Sequence, residues 1–60
     1  MPLSGKEMLA LYIKAGWKKL SSKGSHVKVG KGSLRQIIPM HKELKIGLEG
    51  KLLKVLEEKE

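Results

Sequence analysis

A chain of sixty residues without a cysteine has to hold itself together by burying apolar side chains. Disulfide frameworks and thiolate zinc sites, the usual supports of very small domains, are both excluded. At this size folding covers only about 60% of the surface that the unfolded chain exposes, so the core is thin and each large side chain counts. An apolar content of 40%, with one Trp and one Tyr, is still enough for a folded unit rather than a disordered one. A single domain over residues 1–60 follows. No apolar run reaches the length of a membrane span, and the opening Met1–Lys6 lacks the apolar segment of a secretory leader. A soluble, cytoplasmic protein with no membrane partner is expected.

The apolar residues change period along the chain. Ser4 and Glu7 form an S-x-x-E capping box, with Leu3 and Met8 spaced for a hydrophobic staple, so a helix starts at Ser4. Met8, Leu9, Tyr12, Ile13 and Ala15 continue it as an apolar stripe that reads as core, and Gly16 can stop it with Trp17 folding back toward Tyr12. Trp17 to Ser22 reads as a strand. Trp17 and Leu20 differ in parity there, which predicts a bulge or twist. Lys23 and Gly24 are expected to turn the chain into a second strand, with Ser25, Val27 and Val29 on one face and His26 and Lys28 on the other. Gly30-Lys31-Gly32-Ser33 is expected as a hairpin loop, and Leu34 to Met40 as a third strand ending around Pro39. After a connection over residues 41–46, a second helix from about Gly47 carries Leu48, Leu52, Val55 and Leu56, with Leu53 beside them. Its acidic C-terminal end opposes the helix dipole, so loosely ordered final residues are expected.

Charge is concentrated in the middle. The chain carries a net +7, and residues 14 to 45 hold nine cations against Glu43 alone while the rest is close to neutral. Such a density suits nucleic acid or an acidic protein that imitates it; a lysine-rich surface kept for solubility would look the same. Inside this region, Lys23-Gly24-Ser25-His26-Val27-Lys28 combines a turn glycine, a small hydroxyl and an imidazole between two lysines. Imidazole is the side chain whose ordinary pKa lies nearest neutrality, and flanking lysines can hold phosphate while it moves a proton. A solvated turn histidine is the plainer alternative. His41, after Pro39, is the second histidine and a second candidate. Two histidines with Glu43 as the nearest acid do not make a metal site, and no cofactor is called for.

The order helix, three strands, helix in sixty residues is that of an α+β, double-stranded-RNA-binding-like α-β-β-β-α domain: a three-stranded antiparallel sheet with two helices packed on one face. At Gly16-Trp17, Lys23-Gly24-Ser25-His26, Ile38-Pro39-Met40-His41 and Glu43-Leu44-Lys45 followed by Gly47, the sequence resembles the HicA (YcfA-like) toxin family. The resemblance runs from about Lys6 to Leu56. It departs at Ile46-Gly47-Leu48, where the family commonly has Pro-Gly-Thr.

The resemblance implies the toxin of a toxin–antitoxin pair, an endoribonuclease that cleaves messenger RNA without the ribosome and is blocked by a cognate HicB-like antitoxin. It implies His26 as the catalytic residue, with Gly24 and Ser25 shaping the turn. RNA supplies its own nucleophile in the 2′-hydroxyl, so no metal is needed if a histidine acts as general acid or base, a contribution of ~10²–10⁴-fold. Lys23 and Lys28 are then the candidates for stabilising the developing charge. Two other readings remain at this stage: a non-catalytic RNA-binding module, and an interaction domain that docks only on an acidic protein.

Overall fold

In the computed structural model, which describes residues 2–58, the first helix α1 spans Gly5–Lys14. Its start is the capping box expected from Ser4 and Glu7: the Glu7 N–H donates to Ser4 Oγ at 3.0 Å, and the Ser4 N–H donates to Glu7 Oε1 at 2.9 Å. Its end is a Schellman turn. Gly16 takes φ +98°, which a glycine adopts without steric cost, so that its N–H reaches Ile13 O and the Trp17 N–H reaches Tyr12 O at 3.0 Å. Reversal of the chain brings Trp17 edge-on to Tyr12, with ring centroids 4.9 Å apart at 66°.

Three strands follow: β1 (Lys18–Lys23), β2 (His26–Lys31) and β3 (Leu34–Pro39), paired antiparallel in the order β1-β2-β3. The register shift between Lys19 and Ser21 is the irregularity that the parity of Trp17 and Leu20 anticipates, with Leu20 as the extra residue. Both hairpins turn through two residues. Gly24-Ser25 makes the first and Gly32-Ser33 the second, each with its glycine at positive φ and its serine not, as in a II′ turn. Three expectations are thereby corrected. Lys23 ends β1, paired with His26, rather than opening the turn. Ser25 belongs to the turn rather than to the second strand, and Gly30 and Lys31 are paired strand residues rather than loop.

Helix α2 (Ile46–Glu58) lies with α1 over the face of the sheet that carries Val27, Val29 and Ile38. These three, with Met8, Tyr12, Trp17, Leu44 and Leu52, form the buried core. A hydrogen bond of 2.8 Å from the Tyr12 hydroxyl to Leu52 O ties the helices together, and burial pushes the phenol's pKa up to about 12. Ile13 does not join the core: it is 45% exposed, because a helix advances 100° per residue and carries it round from the Met8–Tyr12 line that meets the sheet. The expectation for the chain's last residues falls on Lys59 and Glu60, outside the described residues.

The chain's start is clamped between the connection after β3 and α2. The Leu44 N–H donates to Leu3 O at 2.8 Å, the Gly5 N–H to His41 O at 2.8 Å, and the Leu3 N–H to the Glu49 carboxylate. Gly5 is there because nothing larger fits: a Cβ would come within 1.9 Å of Pro39 O. This clamp sets the path of residues 39–44, and with it the position of His41.

Candidate functional site

Strand side chains alternate, so burying Val27, Val29 and Ile38 under the helices commits their neighbours to the helix-free face. Cross-strand pairing arranges that face in three rows. Lys23, His26 and Pro39 make the first; Ser21, Lys28 and Ile37 the second; Lys18, Gly30 and Arg35 the third. His26 and Lys28 are exposed, as their parity predicts. No Asp or Glu lies on any of the three strands. Lys31 is different, because its parity sends it to the helix side, where its Nζ donates to Ala15 O at 3.1 Å.

The structure brings together the residues that the sequence singles out. His26 opens β2 directly after the Gly24-Ser25 turn and pairs with Lys23 on one side and Pro39 on the other. Gly24 holds φ +59° with open space around its missing Cβ, so it is there for the turn's backbone rather than for packing. Ser25 contributes more than its small size: its carbonyl accepts the Met40 N–H, which extends the β2–β3 ladder past Pro39 and lays the chain at His41 beside the turn. His41 is exposed, and its carbonyl is held by Gly5. Both histidines therefore emerge at the same end of the sheet, a long-range consequence of the clamp.

Other residues share the face without having been singled out from sequence. Leu20 and Ile37, 47% and 44% exposed, place apolar surface between the cations, and Arg35 closes the third row. Following the parity of His26 and Lys28 two residues further to Gly30, and across the hairpin, would have found Arg35. An open groove of about 470 Å³ lies elsewhere: Leu11, Lys14, Ala15, Leu53, Leu56 and Glu57 line it between the helices. It contains neither histidine. Among the described residues no three His, Asp or Glu side chains gather as a metal site would require, and no helix is long and apolar enough to cross a membrane.

Helix, three-stranded antiparallel meander and helix, with both helices on one face and cations on the other, define a domain of the double-stranded-RNA-binding-like class. The family model described as the HicA toxin of bacterial toxin–antitoxin systems matches residues 5–57. The chain belongs to that family. It is the toxin of a toxin–antitoxin system, which implies a cognate antitoxin as partner. No curated protein and no solved structure matches it significantly.

Proposed function

We propose that this toxin is a metal-independent endoribonuclease that cleaves messenger RNA on the open face of the sheet, with His26 as its general acid or base. The observation that carries the reading is the placement of His26: exposed, at the start of the central strand, in one row with Lys23 and two residues from Lys28. Cleavage needs the 2′-hydroxyl to lose its proton as its oxygen bonds to phosphorus, and the bond from phosphorus to the 5′-oxygen to break as that oxygen gains one. A neutral imidazole performs the first transfer, and its protonated form the second. Lys23 and Lys28 stabilise the charge on the phosphoryl oxygens, and Gly24 and Ser25 keep the turn tight so that the backbone leaves room for RNA. His41, brought to the same end of the sheet, is the candidate for the complementary proton transfer. A HicB-like antitoxin that covers this face with acidic groups would silence the toxin, and the site of action is the cytoplasm, where messenger RNA is translated.

The test compares wild type with His26→Ala on a labelled single-stranded RNA in the presence of a chelator, followed by analysis of the product ends. Cleavage by wild type alone, leaving 2′,3′-cyclic phosphate or 3′-phosphate ends, is expected. Products with 5′-phosphates, or a strict need for magnesium, would overturn the mechanism. Equal RNA binding by both proteins with no cleavage by either would favour the non-catalytic RNA-binding module, which the same rows of cations could serve.

A further inference from the structure

Gly30 poses a question that its backbone does not answer. It lies in mid-strand, paired with both Lys18 and Arg35, and its φ is not positive, so any residue could adopt its conformation. What it lacks is room for a side chain. A Cβ would meet Leu20 Cδ1 at 2.7 Å, Arg35 Nη1 at 3.0 Å and Arg35 Cδ at 3.3 Å. The arginine and the bulged leucine thus lie flat across the glycine on the helix-free face.

Arg35 is also tied in place. Its Nη1 donates to Gly32 O and to Leu34 O, both at 2.8 Å. A guanidinium nitrogen of that kind carries two hydrogens, so the two carbonyls occupy them and leave the edge formed by Nε and Nη2. That edge is the fork that matches two phosphate oxygens. Among the described residues, Arg35 is the one cation of the open face that hydrogen bonds hold down; Lys18, Lys23 and Lys28 carry their charge on unanchored stems. A preorganised fork loses less freedom on binding than a free lysine does.

Its distance from His26 gives it a role. Gly30 is four residues along β2, roughly 13 Å at ~3.3 Å per residue. With the ~3.4 Å per nucleotide of a stacked nucleic-acid strand as a guide, that span covers about four stacked nucleotides, and fewer in a more extended strand.

We propose that Arg35, laid over Gly30 and walled by Leu20, is a fixed phosphate-binding fork that grips the RNA backbone about two to four nucleotides from the phosphate at His26. The toxin consequently needs more RNA than the linkage it cuts. This inference rests on the ribonuclease reading above and adds to it a subsite and a minimum substrate length.

The experiment uses short RNAs around one cleavage site, each with a single uncharged methylphosphonate linkage at a different position, and follows kcat and KM separately. With wild type, one neutral linkage two to four nucleotides from the cut is expected to raise KM about tenfold with little change in kcat. Arg35→Gln should raise KM to the same extent on unmodified RNA and lose sensitivity to that linkage alone. Arg35→Lys should fall between, because it keeps the charge without the fork. Gly30→Ala meets only side-chain atoms of Leu20 and Arg35 and no backbone, so it should keep the fold and behave as Arg35→Gln does. A merely structural arginine would change thermal stability without creating a position-specific response to the neutral linkage. If wild type cuts RNA but no distant linkage matters, or if Arg35→Gln keeps the full pattern of sensitivity, the fork is refuted and the ribonuclease reading stands. If wild type neither binds nor cuts any of these RNAs, both fall together.

Discussion

Replacing Gly5 with alanine sets packing directly against helix propensity. Propensity favours the substitution by up to ~1 kcal/mol, since alanine is the better helix former. Packing opposes it. The new Cβ would stand 1.9 Å from Pro39 O, 2.8 Å from Pro39 C and 2.7 Å from Met40 Cα. Carbon atoms sit comfortably at about 3.5–4.0 Å, so helix and strand exit must separate by more than an ångström. All three obstructing atoms belong to backbone, and no side-chain rotation relieves the contact. Overpacking of this kind costs ~1–3 kcal/mol, and loss of the hydrogen bond from the Gly5 N–H to His41 O adds ~0.5–1.5 kcal/mol. Set against the propensity gain, the net loss lies between about 0.5 and 4.5 kcal/mol, centred on about 2.5 kcal/mol. A domain of this size has only ~3–9 kcal/mol in total, and each kcal/mol is worth ~4–8 °C, so Tm should fall by roughly 10–20 °C. Thermal and urea unfolding followed by circular dichroism measure it directly. The displaced segment also supplies the Met40 N–H to Ser25 O, so the turn ahead of His26 should loosen and its amides exchange faster. A Gly5→Ala protein as stable as wild type, or more so, would refute the account of the clamp.

Three further predictions concern α1. The chain's single tyrosine makes its ionisation separable from every other group by ultraviolet absorbance. Its folded-state pKa is raised from 10 to about 12, so the stabilisation from the protonated, buried phenol is complete below pH 10 and is lost as the pH rises toward 12. Base-induced unfolding should accompany the absorbance change in that window; a tyrosine that ionises with a midpoint near 10 in a still folded protein would contradict the burial. Tyr12→Phe should cost ~1 kcal/mol by removing the hydroxyl's bond to Leu52 O. At the other end of the helix, the Ser4 backbone N–H, and then the Ser4 side chain, lower the Glu7 pKa below 4.5. The capping contribution is therefore present above pH 4.5 and disappears as the pH falls through the lowered value. Glu7→Ala should have a lower Tm than wild type at neutral pH, and the gap should close in acid; a gap independent of pH would mean that the carboxylate plays no part.

The features legible in the sequence are those decided within a few residues. Ser4 and Glu7 mark the start of α1, Gly16 marks its stop, and the mismatched parity of Trp17 and Leu20 marks the bulge, because each concerns backbone groups one or two turns apart. The exposure of His26 and Lys28 was legible for the same reason, from the two valines that alternate with them. The two Gly-Ser turns carried a usable signal, since a Gly-Ser pair between extended runs reads as a two-residue hairpin. Ser25 shares the parity of Val27 and Val29 and so reads as part of the strand, and Gly30, two residues ahead of the turn glycine Gly32, makes the other turn read too wide. What could not be read is long-range. The juxtaposition of His41 with the turn depends on Met40 reaching Ser25 and on Gly5 holding His41, and the pose of Arg35 depends on a bulged leucine ten residues from Gly30.

The two layers of the fold divide charge as sharply as they divide burial. Helices α1 and α2 carry four lysines and four glutamates between them and are neutral, while the three strands carry five lysines and one arginine without an acid. Adjacent rows on the open face lie two residues apart, about 7 Å, which is within the ~8 Å screening length at physiological salt. Lys23, Lys28 and the Lys18–Arg35 row therefore repel one another in the free protein, at a cost to a domain whose core is eight side chains. The helices and Trp17 supply the cohesion that tolerates this, and they do so from the opposite face, where the charges cannot be relieved. Relief has to come from outside. A polyanion laid across the rows removes the repulsion and gains the cations' attraction together, and under the proposed function RNA and an acidic antitoxin would each provide that on the same surface. If both ligands use these rows, as proposed, they would exclude each other without any conformational change in the toxin, because the cations that attract the one would be covered by the other.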